Sequence, residues 1–253
     1  MQFVYRDTTR RSTQKRNFIG ESDERQIDLP SAIPTGASVK KWEGVERRAE
    51  PRKPAGRQIE IIVIGCSLGG MNALTTIFST LSDDFCVPIA VVQHRHKASN
   101  ESLPAYFRRE SHLCVVDAED KQPIEPGCIY LAPANYHLLV ERGAFSLSVD
   151  AAVAYSRPSI DVLFESAADA YREGVAGVVL TGANADGSRG SQRIKRRGGM
   201  VIVQDPATAE APTMQQAVID SARVDRILPL DRLGPFLVEL CRSSAVVKSG
   251  GRA

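Results

Sequence analysis

The chain has 253 residues, 43% of them apolar and 25% charged, an ordinary globular composition that suffices for one large domain or two small ones. A formal net charge of +2 excludes the global basic field of a nucleic-acid-coating protein, and no apolar run reaches the roughly 18 residues of a membrane span. The five cysteines, Cys66, Cys86, Cys114, Cys128 and Cys241, form no C-x-x-C pair, and the opening "MQFVYRDTTRR" lacks the apolar stretch of a secretory leader. Reduced thiols in a cytoplasmic protein are therefore expected.

Residues 1–57 read as a basic, disordered tail. Up to Gln58, 13 Lys and Arg oppose 8 Asp and Glu, a balance of +5 that leaves −3 on the body. "RDTTRRSTQKR" and "KKWEGVERRAEPRKPAGRQ" show no sustained periodicity. Trp42, the only tryptophan, is either a partner anchor or a loose contact with the body.

From residue 59 strands and helices alternate. "IEIIVIG" is a nearly continuous apolar run of strand length, as a strand buried on both faces requires. "MNALTTIFSTL" places Leu74, Ile77, Phe78 and Leu81 along one side of a helix. "PIAVVQH" is a second buried strand, and "NESLPAYFRRE" is a helix opened by Asn100. "HLCVVDA" and "CIYLAPA" are strands around the turn-rich "EDKQPIEPG", and "YHLLVERGAFSLSVD" is a hairpin turning near Arg142-Gly143. "RPSIDVLFESAADAYRE" is a helix started by Pro158 and Ser159. Then come the strand "VAGVVLTG", the loop "ANADGSRG", the helix "SQRIKRR" and the strand "GGMVIVQD". A helix "PTMQQAVIDSA", a short strand "RILPL" and a helix "DRLGPFLVELCR" complete the body, which spans 58–242 before a frayed tail at 243–253. This order predicts an α/β fold: a doubly wound, mostly parallel sheet flanked by helices, with a small antiparallel hairpin at one edge.

In open α/β sheets, ligands bind beyond the carboxyl ends of the strands. Those ends carry Ser67 within Gly65-Cys66-Ser67-Leu68-Gly69-Gly70, His94 after "VVQ", Asp186 within "ANADG" and Asp205 after "VIVQ". Serine, histidine and aspartate at one end of one sheet supply the hydroxyl, base and orienting carboxylate of nucleophilic acyl transfer. Gly65-x-Ser67-x-Gly69 also fits a nucleophile elbow, where the Leu68 amide directly follows the hydroxyl and is the natural oxyanion donor. The glycines alone leave a phosphate cradle or plain turn chemistry open. A dinucleotide site would need glycine at 67, and a P-loop would need a following Gly-Lys-Ser/Thr. Chain order adds a test: α/β hydrolases run Ser, acid, His, yet the last histidine, His137, leaves over a third of the chain behind it. A hydrolase here must run Ser–His–Asp.

That order, with "GCSLGG", "VVQH", "IYLAPANYHLLV", "RPSIDVLFESAA", "GVVLTGANADGSRG" and "GGMVIVQDPATA" in succession, resembles the catalytic domain of the chemotaxis methylesterases of the CheB family over residues 58–242. The resemblance implies hydrolysis of glutamate methyl esters on chemoreceptors with release of methanol, and deamidation of receptor glutamines. It implies Ser67 as nucleophile, His94 as base and Asp186 as the acid, with the backbone amides of Leu68 and Ala183 at the oxyanion. It implies no metal and no organic cofactor. The partner would be the cytoplasmic domain of a methylated chemoreceptor, with no nucleic acid and no membrane insertion.

Several positions depart from the family's usual pattern. Leu68 and Ala183-Asn184 replace a threonine and a Met-Gly pair, "RHKASN" at 95–100 replaces a stretch that helps engage substrate, and Pro212-Thr213-Met214 stands where a Gly-Met-Pro is usual. The tail is also too short and polar for the family's receiver domain. A weak or silent homologue acting as a binding module, or an esterase of another acyl substrate, are the rival readings.

Other residues carry plainer expectations. His94-x-His96 lacks a nearby Cys, Asp or Glu to complete a metal set. His112 and His137 read as strand-end packing or surface, and Cys66 as a small core hydrophobe. Asp161 and Glu165, one turn apart, read as a solvated helix face. Asp205 is either a second acid or a turn cap before Pro206. Arg157 is a candidate for binding a substrate carboxylate.

Overall fold

The computed structural model describes residues 58–94 and 102–249. The expectations for the 1–57 tail, Trp42, His96 and the 95–100 stretch lie outside the described residues.

Seven parallel strands form the main sheet: β1 (Ile61–Cys66), β2 (Ile89–Gln93), β3 (Cys114–Asp117), β4 (Cys128–Leu131), β7 (Val175–Val179), β8 (Met200–Gln204) and β9 (Arg226–Leu228). Their spatial order is β3-β4-β2-β1-β7-β8-β9. The chain leaves β1 on one side and returns to its other side at β7, so β1 marks the switch point where such sheets open a crevice. The hairpin of β5 (His137–Glu141) and β6 (Ala144–Ser148) is its own two-stranded sheet and does not extend the main one.

Side-chain alternation along β1 sets the two layers. All six of its residues are buried. Ile62 and Ile64 face a core built with Leu74, Ile77 and Phe78 of α1 (Gly70–Phe78) and Leu233 and Leu237 of α6 (Leu230–Ser249). Ile61 and Val63 face the other way. They meet Leu163 and Phe164 of α3 (Ile160–Tyr171), Ile194 of α4 (Ser188–Arg196), Met214 of α5 (Thr213–Ser221) and Phe145 of the hairpin.

The short α2 (Leu103–Phe107) is capped by Ser102 rather than opened by Asn100, and Pro104 lies in its first turn, where no intrahelical donor is lost. The final helix α6 continues past residue 242 to Ser249. Among the described residues no helix is long and apolar enough to cross a membrane.

The contact between β1 and α3 leaves no space at Gly65. A Cβ there would stand 2.3 Å from Cγ2 of Ile160, the first residue of α3. Gly65→Ala is expected to destabilise the protein by about 1–3 kcal/mol, the usual cost of overpacking a core. Chemical denaturation would show this as a lower midpoint; an unchanged midpoint would mean that α3 can shift freely on β1.

Candidate active site

The candidate side chains gather where β2, β1 and β7 end side by side. The last registered pair of β1 and β2 is Cys66 with Gln93, and the His94 amide donates to the Cys66 carbonyl at 3.0 Å. Ser67 and His94 are therefore the next residues on two neighbouring strands. On the other side, the Ser67 amide donates to the Thr181 carbonyl at 2.9 Å, and the Thr181 hydroxyl donates to the Leu68 carbonyl at 2.8 Å. Gln93 fixes the same turn from β2: its side-chain nitrogen donates to the carbonyls of Ser67 (2.9 Å) and His94 (2.8 Å). Its oxygen accepts the Cys66 thiol at 3.0 Å. Cys66 is a core residue, and burial pushes its thiol up, away from the nucleophilic thiolate.

The turn is less strained than an elbow with its nucleophile at positive φ. Ser67 does not take that conformation; Gly69 does, with φ +79° at the N-cap of α1. A Cβ at Gly69 would also come within 2.7 Å of the Glu210 carboxylate, so Glu210 lies against the Ser67–Gly69 turn, a neighbour that the sequence pattern does not reveal. The Leu68 side chain is exposed. The amides of Leu68 and Ala183 and the hydroxyl of Ser67 make no hydrogen bond among the described residues.

Asp186 is buried and accepts four hydrogen bonds. Oδ2 takes His94 Nε2 at 2.9 Å and the Ile160 amide at 2.8 Å. Oδ1 takes the Ser159 hydroxyl at 3.0 Å and the Asp161 amide at 2.9 Å. Three of the donors are the N-terminus of α3, whose free amides suit an anion. Burial alone would push this carboxyl up. The hydrogen bond from His94, the amides of Asp161 and Ile160 and the charge on His94 outweigh it and hold Asp186 below the usual carboxylate range.

Asp161 corrects the expectation of a solvated face. It is buried, and its Oδ1 accepts the amides of Gly187 (3.0 Å) and Gly190 (2.7 Å) at the start of α4. Burial pushes its carboxyl up; the charge of Asp186 adds to that, while the two amides and Arg189 oppose it. Glu165, its expected companion, pairs with Arg189 at 2.7 Å on the surface. His137 is a buried strut: Nδ1 accepts the Ser159 amide at 3.2 Å and Nε2 donates to the Ala151 carbonyl at 3.1 Å. Asp205 is the turn cap, accepting the Ala207 amide at 2.9 Å. Arg157 donates from Nη1 to the carbonyls of Val149 (2.7 Å) and Asp150 (3.0 Å), and its buried Nε has no partner among the described residues.

Among the described residues no group of three His, Cys, Asp or Glu side chains gathers as a metal site. A cavity of about 260 Å³ opens at the other end of the sheet, lined by Ile59, Val87 and Pro88, and contains none of the residues above.

A hydroxyl, an imidazole and a buried carboxylate at the ends of parallel strands are the groups of a serine-hydrolase site on an open α/β sheet. The chain belongs to the CheB methylesterase family, which it matches over residues 62–237. A Leptospira interrogans protein whose name assigns it to the protein-glutamate methylesterases/protein-glutamine glutaminases is 45% identical over 185 residues, covering 72% of this chain and 94% of that protein. An Anaeromyxobacter dehalogenans protein-glutamate methylesterase/protein-glutamine glutaminase is 37% identical over 204 residues, covering 81% of this chain and 60% of that one. The chain thus spans nearly all of one relative and about three fifths of the other. The crystal structure of the Thermotoga maritima CheB methylesterase catalytic domain superimposes with a TM-score of 0.69 at 34% identity, covering 72% of this chain and 99% of that domain.

The depressed Asp186 carboxyl makes a pH prediction. Its contribution to stability is whole above its ordinary value of 3.8 and is lost as pH falls through the lower folded value. Denaturation of wild type and Asp186→Asn at pH 7, 4 and 3 is expected to show a stability gap that narrows with acid. A gap constant over that range would mean that the carboxylate is not held ionised by its partners.

Proposed function

We propose that the chain is a serine hydrolase that cleaves glutamate methyl esters on the cytoplasmic domain of a chemoreceptor and releases methanol. The observation that carries the reading is the His94–Asp186 bond at 2.9 Å, made to a carboxylate whose other lone pairs are filled, with Ser67 on the strand beside His94.

In this reading Ser67 Oγ attacks the ester carbonyl. Asp186 already holds Nε2, so Nδ1 is the ring nitrogen left to take the hydroxyl proton. The amides of Leu68 and Ala183 receive the oxyanion. The imidazolium formed is stabilised by Asp186 and gives its proton to the departing methoxide, leaving a glutamyl-serine ester. Water, deprotonated by His94, then hydrolyses that ester and regenerates Ser67. Glutamine deamidation follows the same course with ammonia as the leaving group. Arg157 meets a substrate carboxylate through Nη2, the nitrogen that Val149 and Asp150 leave free.

The test is methanol release from a methylated chemoreceptor cytoplasmic fragment by the full chain. Ser67→Ala is expected to lower the rate by at least about 10³-fold, as removal of a nucleophile does. Release that survives the substitution would move the chemistry to another residue. No release from the wild type would favour a silent homologue or another ester.

A further inference from the structure

Asn184 closes a ring of hydrogen bonds around the base. Its side-chain oxygen accepts the Asp186 amide at 3.1 Å, and its side-chain nitrogen stands 3.4 Å from Nδ1 of His94. Asp186 holds Nε2 of the same imidazole. The backbone of Asn184 does not take positive φ, so conformational freedom is not what this residue supplies. With its oxygen engaged by an N–H, the amide cannot turn over without losing that bond, and it presents an N–H to Nδ1. A donor there fits a lone pair on Nδ1 with the proton on Nε2, and it opposes a proton on Nδ1.

We propose that Asn184 is a positioning residue: its amide, oriented by the Asp186 backbone, keeps the resting His94 in the Nε2–H form with Nδ1 unprotonated, and gives up Nδ1 when the Ser67 hydroxyl donates there. The inference rests on the acyl-transfer reading of Ser67 and His94. Among the described residues the charged groups around the ring are Asp186 at Nε2, Asp161 and Arg189 behind that carboxylate, and Glu210 across the Ser67 turn. Among the described residues none of them touches Nδ1. The donor that Asn184 supplies there meets the lone pair of the neutral ring and would face an N–H on the imidazolium.

The acid limb of kcat/KM for glutamate methyl ester hydrolysis tests this in the full chain. Asn184→Ala removes the donor, and the limb is expected to move up by about half a pH unit. Asn184→Asp keeps an acceptor for the Asp186 amide but sets a carboxylate against Nδ1, and the limb is expected to rise further, by about 1–3 units. A role confined to loop structure would lower the rate at every pH and leave the limb in place. Nitrogen-15 shifts of the four histidines, with His94→Gln for assignment, supply a readout independent of turnover. The Nε2–H form is expected at pH 8, and an Nδ1–H form would overturn the inference. An active wild type with the limb unmoved in both variants would remove Asn184 from the mechanism and leave the reading of Ser67 intact. A wild type that hydrolyses no glutamate methyl ester at any pH would remove the reading itself, and the ring shifts would still decide the tautomer.

Discussion

Two helix N-termini are capped by each other's carboxylates, and the geometry of the site depends on that exchange. Asp186, just before α4, accepts the first amides of α3; Asp161, in the first turn of α3, accepts the first amides of α4. Each helix start leaves free donors that need partners once buried. Each carboxylate, buried, needs donors in turn. The exchange satisfies both demands at once and fixes α3 against α4 at the end of β7. Asp186 cannot rotate without unpairing α3, so the one lone-pair direction that remains is aimed at His94.

Ser67 is placed by a different device. Ser67 follows β1 directly, and the parallel register of β1 with β2 sets it beside His94. Gln93 and Thr181 then hold the turn from both neighbouring strands, through the carbonyls of Ser67 and Leu68. The hydroxyl is presented by sheet register and side-chain clamps, while the left-handed conformation is confined to Gly69. Substituting Leu68 for the family's usual threonine changes a side chain that is exposed and leaves the backbone amide in place. Register is a strong constraint where both faces of a strand are buried, because a one-residue slip would exchange the two cores.

Much of this was legible in the chain. The apolar runs ending at Gly65, Gln93 and Leu180 mark buried strands, and residues just past strand ends are where an open α/β sheet does its chemistry. That rule picks out Ser67, His94 and Asp186 as candidates, and the structure joins His94 to Asp186 and sets Ser67 on the strand end next to His94. The residues that support them could not be read from it, because their partners lie far away in sequence. Asp161 and Glu165 share a helix spacing that resembles a solvated pair, yet α4 covers Asp161 and leaves Glu165 outside. Ser159 looks like a helix cap, but its hydroxyl donates to Asp186 while its amide donates to His137. The hairpin was visible as a pattern of alternation. That it stands as a separate sheet follows from packing against α3, which local pattern does not encode.

The pair of buried aspartates also explains why one of them can serve an imidazole and the other cannot. They lie close enough for each charge to disfavour the other. Asp186 receives four donors, including a hydroxyl and the imidazole, and its carboxyl is held down. Asp161 receives two amides on a single oxygen, with Arg189 3.9 Å from the other, and its carboxyl is pushed up. Environments that drive neighbouring carboxyls apart assign them separate roles. The negative charge is concentrated on the aspartate that faces His94. The other aspartate is left to hold helices together, a task that needs an acceptor oxygen and can tolerate a proton on the second oxygen.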